Sequence, residues 1–568
     1  MTSSLKFPDY IVFICYFFLV AFYGYYVYQR KKKKNQNAAD FFLAEGSLTW
    51  WAIGASIIAS NISAEQFVGM SGNGFRLGLA ISVYEWTGAV GLIIVAVFFI
   101  PIFLKNQIYT MPQFLQKRYN ETVGLVMAIF WLFLYVFVNL TSILFLGTIA
   151  LNNLVGDGYF HVVMMALAFA ALLITIGGMK VIGYTDVIQV FFLILGGLAT
   201  TYLALTLVSG KFGMNHDAFA GFKVLLKQAP EHFKMIFDKP SADATAHDVD
   251  RYLSLPGVAM MLGGMWVANL NYWGCNQYIT QRALGANLQT ARTGILFAAF
   301  LKILMPVIVV LPGIAAFVLY QEGELHEQML TAGVFREDNA YAAILSFLPV
   351  GLKGLSLAAL TAAIIASLAG KANSISTIFT LDIYQKYINK EASEKKLIWM
   401  GRLTVITAII IAIVVNWKDS IGIGGKGGFE FIQKYTGFFS PGILAVFLLG
   451  FFWKQTTSVA ALAGIIGSLI LSVIFDRFLV NWFGTVTLWY TAYPNTNGVY
   501  TIPFLISMGW VFLFTILWMV VLSLLFPDKR NDTEKIVVKA KMFHISTSSW
   551  ILITIILCIL IALYIRFW

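Results

Sequence analysis

Glu65, Glu85, Asp186, Lys302 and Lys371 fall within or at the edges of long apolar runs. An unpaired charge at the centre of a bilayer costs about 3 kcal/mol even on lenient insertion scales, so each of the five needs a partner or a role. Lys302 is the plainest case. Phe297-Ala298-Ala299-Phe300-Leu301 precedes it and Ile303-Leu304-Met305-Pro306 follows, so no sequence neighbour satisfies its ammonium and it must face inward. Gln66, Asn269 and Gln433 also sit in apolar runs. A carboxylate, carboxamides and an ammonium around one aqueous cavity suit a neutral ligand with many hydroxyls, because each hydroxyl both donates and accepts. A sugar or polyol has that chemistry. Tyr84, Tyr272, Trp273 and Phe429 lie close to these residues in the chain and supply rings to stack on a pyranose or to gate the cavity. The structural alternative is a set of static salt bridges that hold helices together.

The elements that position these residues follow from composition. Of 568 residues, 59% are hydrophobic and only 12% charged, well below the roughly 25% charged of soluble domains. Apolar spans fall near 10–28, 48–73, 78–104, 122–153, 159–177, 184–208, 255–279, 292–320, 342–386, 400–417, 427–452, 457–480, 501–525 and 547–567. Each is long enough to cross a bilayer as a helix, which predicts an all-α membrane protein of about fourteen helices. Cys15, Cys275 and Cys558 lie inside apolar segments without paired spacing, so they read as packing residues.

Orientation comes from the basic loops. Arg30, Lys31, Lys32, Lys33 and Lys34 after the first span belong in the cytoplasm under the positive-inside rule. Alternation from there puts Lys105, Lys117 and Arg118 inside, then Lys386 to Arg402, then Lys529 to Lys541. Both termini are then expected outside, in an inner cell membrane. The polar stretch 209–254 also lands outside, with Phe219, Phe222, Leu225 and Leu226 at helical spacing.

Two spans carry polar residues where a lipid-facing helix would be uniformly apolar. Ala59-Ser60-Asn61-Ile62-Ser63-Ala64-Glu65-Gln66 lies in the second and Asn269-Leu270-Asn271-Tyr272-Trp273-Gly274-Cys275-Asn276-Gln277 in the seventh. Interrupted helices five spans apart are the signature of an inverted-repeat transporter that binds its substrate at the breaks. This gives a single integral-membrane domain over 1–568: an extra first helix near 10–28, a first repeat over 48–208, an outer loop over 209–254, a second repeat over 255–452 and three further helices over 457–568.

The segments 59–74 (ASNISAEQFVGMSGNG), 266–282 (WVANLNYWGCNQYITQR), 177–196 (GGMKVIGYTDVIQVFFLILG) and 435–453 (YTGFFSPGILAVFLLGFFW) resemble the sodium/solute symporter family, and within it the sodium/galactose and sodium/glucose-type members. The resemblance implies a leucine-transporter-like core of two inverted five-helix repeats and symport of a hexose, galactose or glucose, with sodium. It implies sugar contacts at Gln66, Glu85, Asn269, Lys302 and Gln433, supported by Asn61. It implies an outer gate of Met70, Tyr84 and Phe429, with Tyr272 stacking on the ring. Gly88 stands where galactose-type members carry serine and Asn271 where they carry tyrosine, which leaves the sugar epimer open.

For sodium, the resemblance implies the carbonyls of Ala59, Ile62 and Ala363 and the hydroxyl of Ser367, oxygen ligands that suit a hard cation. Ala366 replaces a family serine. Lys371, one turn beyond Ser367, stands where close relatives carry an apolar residue. Asp186, at the start of the sixth helix, matches an aspartate near the sodium exit path and is a candidate partner for Lys371. Lys371 then either competes with sodium, giving weak sodium dependence or proton coupling, or reaches cytoplasmic water.

No cofactor is expected beyond the co-transported sodium, and no nucleic-acid partner, since the basic residues lie in short loop clusters. The expected assembly is a monomer or weak homodimer. The chain carries no zinc-binding histidine pair and no nucleophile elbow, which argues against an intramembrane enzyme. The glycine run 422–428 follows no strand and reads as a hinge rather than a nucleotide loop. A channel, a sugar sensor that binds without transport, and a sodium symporter for inositol or sialic acid remain as rival readings.

Overall fold

In lipid every backbone group must be satisfied within its own segment, so the apolar runs fold as helices. The structure, a computed structural model, describes residues 5–31, 41–42, 48–155, 158–241, 243–331, 333–418, 428–528 and 536–568. The glycine run 422–427 and the basic residues at 32–34, 529, 530 and 535 lie outside them. Among the described residues 11 helices are long and apolar enough to cross a membrane, and a pair bent by 83°, Ala246–Leu262 with Gly264–Cys275, makes up to 12. The only strands among the described residues are two short hairpins in loops, Leu330–Thr331 with Val334–Phe335 and Tyr493–Pro494 with Tyr500–Thr501.

The count falls short of fourteen for two local reasons. The second expected span is cut: Trp50–Asn61 is only 12 residues long, and the chain after the cut runs on as the helical stretch Glu65–Lys105, punctuated by Gly78 at φ 73°. The fifth is the 17-residue helix Phe160–Ile176. The sixth begins earlier than expected, at Met179, so Asp186 lies two turns inside it rather than at its start. In the polar stretch 209–254, the helical spacing around Phe222 is a helix over Ala218–Gln228, capped by Asp217.

Both polar interruptions are breaks in helix geometry. In the second span, Ile62 is extended (φ −76°, ψ 110°) between Trp50–Asn61 and a π-helical turn, Glu65–Met70. In the seventh, a π-helical turn at Asn271–Cys275 leads to extended Asn276 (φ −90°, ψ 128°) before Gln277–Leu284. Side chains satisfy the freed backbone. The Ser63 N–H donates to Gln66 Oε1 at 3.0 Å and the Glu65 N–H to Ser63 Oγ at 3.1 Å. Tyr135, from the fourth span, accepts from the Gln277 N–H at 2.9 Å and donates to Asn276 Oδ1 at 3.0 Å.

The eighth span, Leu288–Gln321, is the central post. It packs on both halves of the broken second span, on the third span and on the sixth. Glycines allow the close approach: a β-carbon on Gly294 would stand 2.8 Å from the Trp50 carbonyl oxygen, and one on Gly74 would stand 2.7 Å from that of Val310. Small residues at such contacts are how membrane helices bring their backbones together. Gly294→Ala is expected to destabilise the protein by roughly 2 kcal/mol through overpacking, read as a lower thermal midpoint of the purified protein; an unchanged midpoint would contradict this packing.

Candidate functional site

Lys302 lies midway along the eighth span, 1% exposed, and its ammonium forms an ion pair with Glu85 of the third span. It also donates to Asn61 Oδ1 at 2.6 Å, and it sits 5.0 Å from the ring centroid of Trp273. Pro306, four residues on, lacks the N–H that would occupy the Lys302 carbonyl within the helix. The ammonium thus joins the eighth span to the third, to the first break and to the π turn of the second break.

A cavity opens around this junction. Asn61, Gln66, Glu85, Asn269, Lys302 and Gln433 all line it, so the six expected substrate contacts are brought together. Asn61 Nδ2 donates to the Tyr272 hydroxyl at 2.9 Å, and the Trp273 indole donates to Asn269 Oδ1 at 3.3 Å. Gly88 lets Trp273 and Asn269 pack close against the third span: a β-carbon there would stand 3.0 Å from Trp273 Nε1, 3.1 Å from Asn269 Oδ1 and 3.6 Å from Lys302 Cε. Asn271 turns to Ser440, donating to its Oγ at 2.9 Å.

Of the expected gate residues, Tyr84 and Phe429 line the cavity and pack edge to face with centroids 5.2 Å apart. Met70 is fully buried at the end of its π turn and does not line the cavity. Its neighbour Gly69 abuts Phe429 instead, with a β-carbon position 2.7 Å from Phe429 Cβ. Tyr272 closes against Trp273 and Tyr278, at 4.9 and 5.7 Å between centroids.

Of the expected cation ligands, Ser367 is tied to the element that ends at the first break. Ser367 Oγ donates to the Ser60 carbonyl at 3.1 Å, which ties the ninth span to the last turn before the first break. Ala59, Ile62 and Ala363 are buried in the same two elements. The expected pairing of Lys371 with Asp186 does not occur. Lys371 Nζ lies 3.6 Å from Glu65 Oε1 and 4.9 Å from the Tyr278 ring centroid. Asp186 accepts from Ser56 and faces Arg282 Nη2 at 3.7 Å. The reason is reach: Arg282 extends from the half-helix after the second break, donates to Ser56 Oγ at 2.8 Å and to the Tyr278 carbonyl, and so occupies the place beside Asp186.

The profile of the sodium:solute symporter family matches residues 41–468. The chain belongs to that family. Over 573 residues the symporter is 42% identical to a sodium/glucose cotransporter from Vibrio parahaemolyticus, covering 100% of this chain and 99% of that one. It is 31% identical to the human sodium/myo-inositol cotransporter 2 over 484 residues, 83% of this chain and 70% of that one. Its fold is similar to the substrate-bound outward-open structure of a Na+-coupled sialic acid symporter, with a TM-score of 0.73 at 20% identity over 92% of this chain and 100% of that one. The symporter is therefore a multi-pass, all-α membrane protein with an inverted-repeat-like helix arrangement, a sodium-coupled secondary transporter rather than an enzyme, and sodium is its co-transported ion.

Two arginines of this symporter escape sequence reasoning. Arg282 ends a conspicuous segment, but nothing local marks it as the partner of Asp186. Arg76, beyond the first break, forms ion pairs with Asp250, Glu430 and, at 3.4 Å, Glu337. It also donates to Asn73 Oδ1 and Ser254 Oγ, both at 3.1 Å. Glu430 follows Phe429 in sequence, so Arg76 fastens the helix Gly428–Phe452 to the helix Ala246–Ser254 and to the short turn at 337–339. Burial pushes the Glu337 carboxyl up to about 7, with Arg76 opposing the shift.

Breaking a buried ion pair by removing one partner costs roughly 3–5 kcal/mol, because the other charge is left unpaired. Lys302→Met is therefore expected to lower the thermal midpoint of the purified symporter sharply, and Lys302→Met with Glu85→Gln to recover most of the loss. Equal midpoints for wild type and the single variant would contradict the pair.

Proposed function

We propose that the protein carries a hexose, glucose or galactose, together with sodium by alternating access between the two breaks. The observation that carries this reading is that all six expected substrate contacts line one cavity in a chain 42% identical, end to end, to a sodium/glucose cotransporter. The cavity holds its ammonium and carboxylate as a neutral pair, which suits an uncharged ligand; an anionic solute would meet Glu65 and Glu85 on the lining, a repulsive element against it. In this reading Gln66, Glu85, Asn269, Lys302 and Gln433 bond the sugar hydroxyls, Asn61 holds Lys302 and Tyr272 in place, Tyr272 stacks on the ring, and Tyr84 and Phe429, backed by Met70, form the outer gate. Sodium takes the carbonyls of Ala59, Ile62 and Ala363 and the hydroxyl of Ser367. A polyol such as an inositol is the second reading, favoured by the human myo-inositol relative.

The cut second span and the 17-residue fifth complete fourteen crossings in this reading, with repeats over 48–208 and 255–452. The basic clusters lie in the cytoplasm and both termini outside, in the inner cell membrane, with the protein acting as a monomer or weak homodimer.

Uptake of labelled glucose into proteoliposomes under a sodium gradient, competed by a panel of hexoses, myo-inositol and sialic acid, tests this. The expected result is saturable, sodium-dependent uptake with a hexose as the strongest competitor. Loss of one carboxamide contact is worth about 1 kcal/mol, so Gln433→Ala should raise the half-saturating sugar roughly fivefold. Strongest competition by myo-inositol moves the assignment to a polyol, and absence of hexose uptake contradicts it.

A further inference from the structure

Lys371 is a charged side chain that neither the sugar cavity nor the sodium ligands use. It is 1% exposed in the ninth span, Leu352–Thr377, one helical turn beyond Ser367. Beside it stand Glu65 from the first break and Tyr278 and Arg282 from the half-helix after the second, and behind Arg282 lies Asp186 from the sixth span. Arg282 is committed to Asp186, Ser56 and the Tyr278 carbonyl. Lys371 is held more loosely, 3.6 Å from Glu65 and over the Tyr278 ring. Glu65 is therefore the one carboxylate of this group that remains to be shared.

We propose that Lys371 sets the affinity of the symporter for its co-transported sodium, as a resident cation that shares Glu65 with the incoming ion. The inference rests on the sodium position proposed above. The oxygens there are carbonyls and a hydroxyl with no net charge, and Ala366 removes a hydroxyl from the set. Sodium affinity then depends on the fixed charges nearby. The positive charge of Lys371, on the next turn of the same helix as Ser367, repels sodium where solvent screening is weak. Glu65 attracts both cations, so sodium gains its field only as the ammonium gives it up. An unused oxygen faces the same place: Ser60 Oγ is buried and without a hydrogen-bond partner, 3.2 Å from where a β-carbon on Gly370 would stand. Glu65 and Gln66 both line the sugar cavity, so a shift of Glu65 between the two cations reaches the sugar site directly.

The test uses the full-length purified protein and reads sodium binding without sugar, as the sodium concentration that half-protects it from heat, with potassium as control. Lys371→Met and Lys371→Gln, the second retaining a hydrogen-bonding group beside Glu65 should the first not fold, are expected to lower that concentration at least tenfold. Lys371→Arg is expected to stay within threefold of wild type. If wild type shows no protection and Lys371→Gln gains it, the proposal also stands. No change in Lys371→Gln, or weaker sodium binding, overturns it. Failure of the sugar assignment would appear instead as normal sodium protection without hexose uptake.

Discussion

An ammonium group in the middle of a 34-residue apolar helix cannot be left alone, and much of the architecture answers that one demand. Lys302 is met by Glu85, Asn61 and the face of Trp273, which come from three other spans. Holding those three partners within reach fixes where the second and seventh helices must break. The glycine contacts at Gly294 and Gly74 press the broken second span onto the eighth, and the breaks supply side chains to their own freed backbone groups. A cavity with balanced charge and many donors and acceptors is the consequence.

Two further buried pairs, Glu65 with Lys371 and Asp186 with Arg282, repeat the pattern around the ninth span. Each pair joins two different spans, and each carboxylate is matched by one cation. Buried pairs contribute little net stability against an apolar replacement, yet breaking one is costly; they define which helix faces which. Aromatic contacts border the cavity, Tyr84 on Phe429 and Tyr272 on Trp273 and Tyr278, with Arg76 joining the helix that carries Phe429 to the helix Ala246–Ser254. A transporter needs such contacts to be made and broken in turn.

Much of this was legible in the chain. Lys302 has no polar neighbour within four residues on either side, which is enough to demand a distant partner. The runs around Asn61 and Asn271 announced both breaks, because amides and serines inside an apolar span have no other use. Partner choice was not legible. Whether Asp186 meets Lys371 or Arg282 depends on how three helices are rotated about their axes, a property that spacing along one helix does not encode. Arg76 was missed for the opposite reason, since an arginine near a span end is ordinary until three acidic residues far away in the chain converge on it. Helix length and span count diverge where a helix is cut, because hydropathy reads through a break that the backbone does not.

The central claim, that the junction around Lys302 is the substrate site, is tested most directly by a cryo-electron microscopy structure of the full-length protein in lipid nanodiscs with glucose and sodium. The account predicts density for one pyranose within hydrogen-bond distance of Glu85, Lys302 and Gln433, with Tyr272 against its face. A hexose bound elsewhere, with the cavity around Lys302 holding only its own side chains, would contradict it.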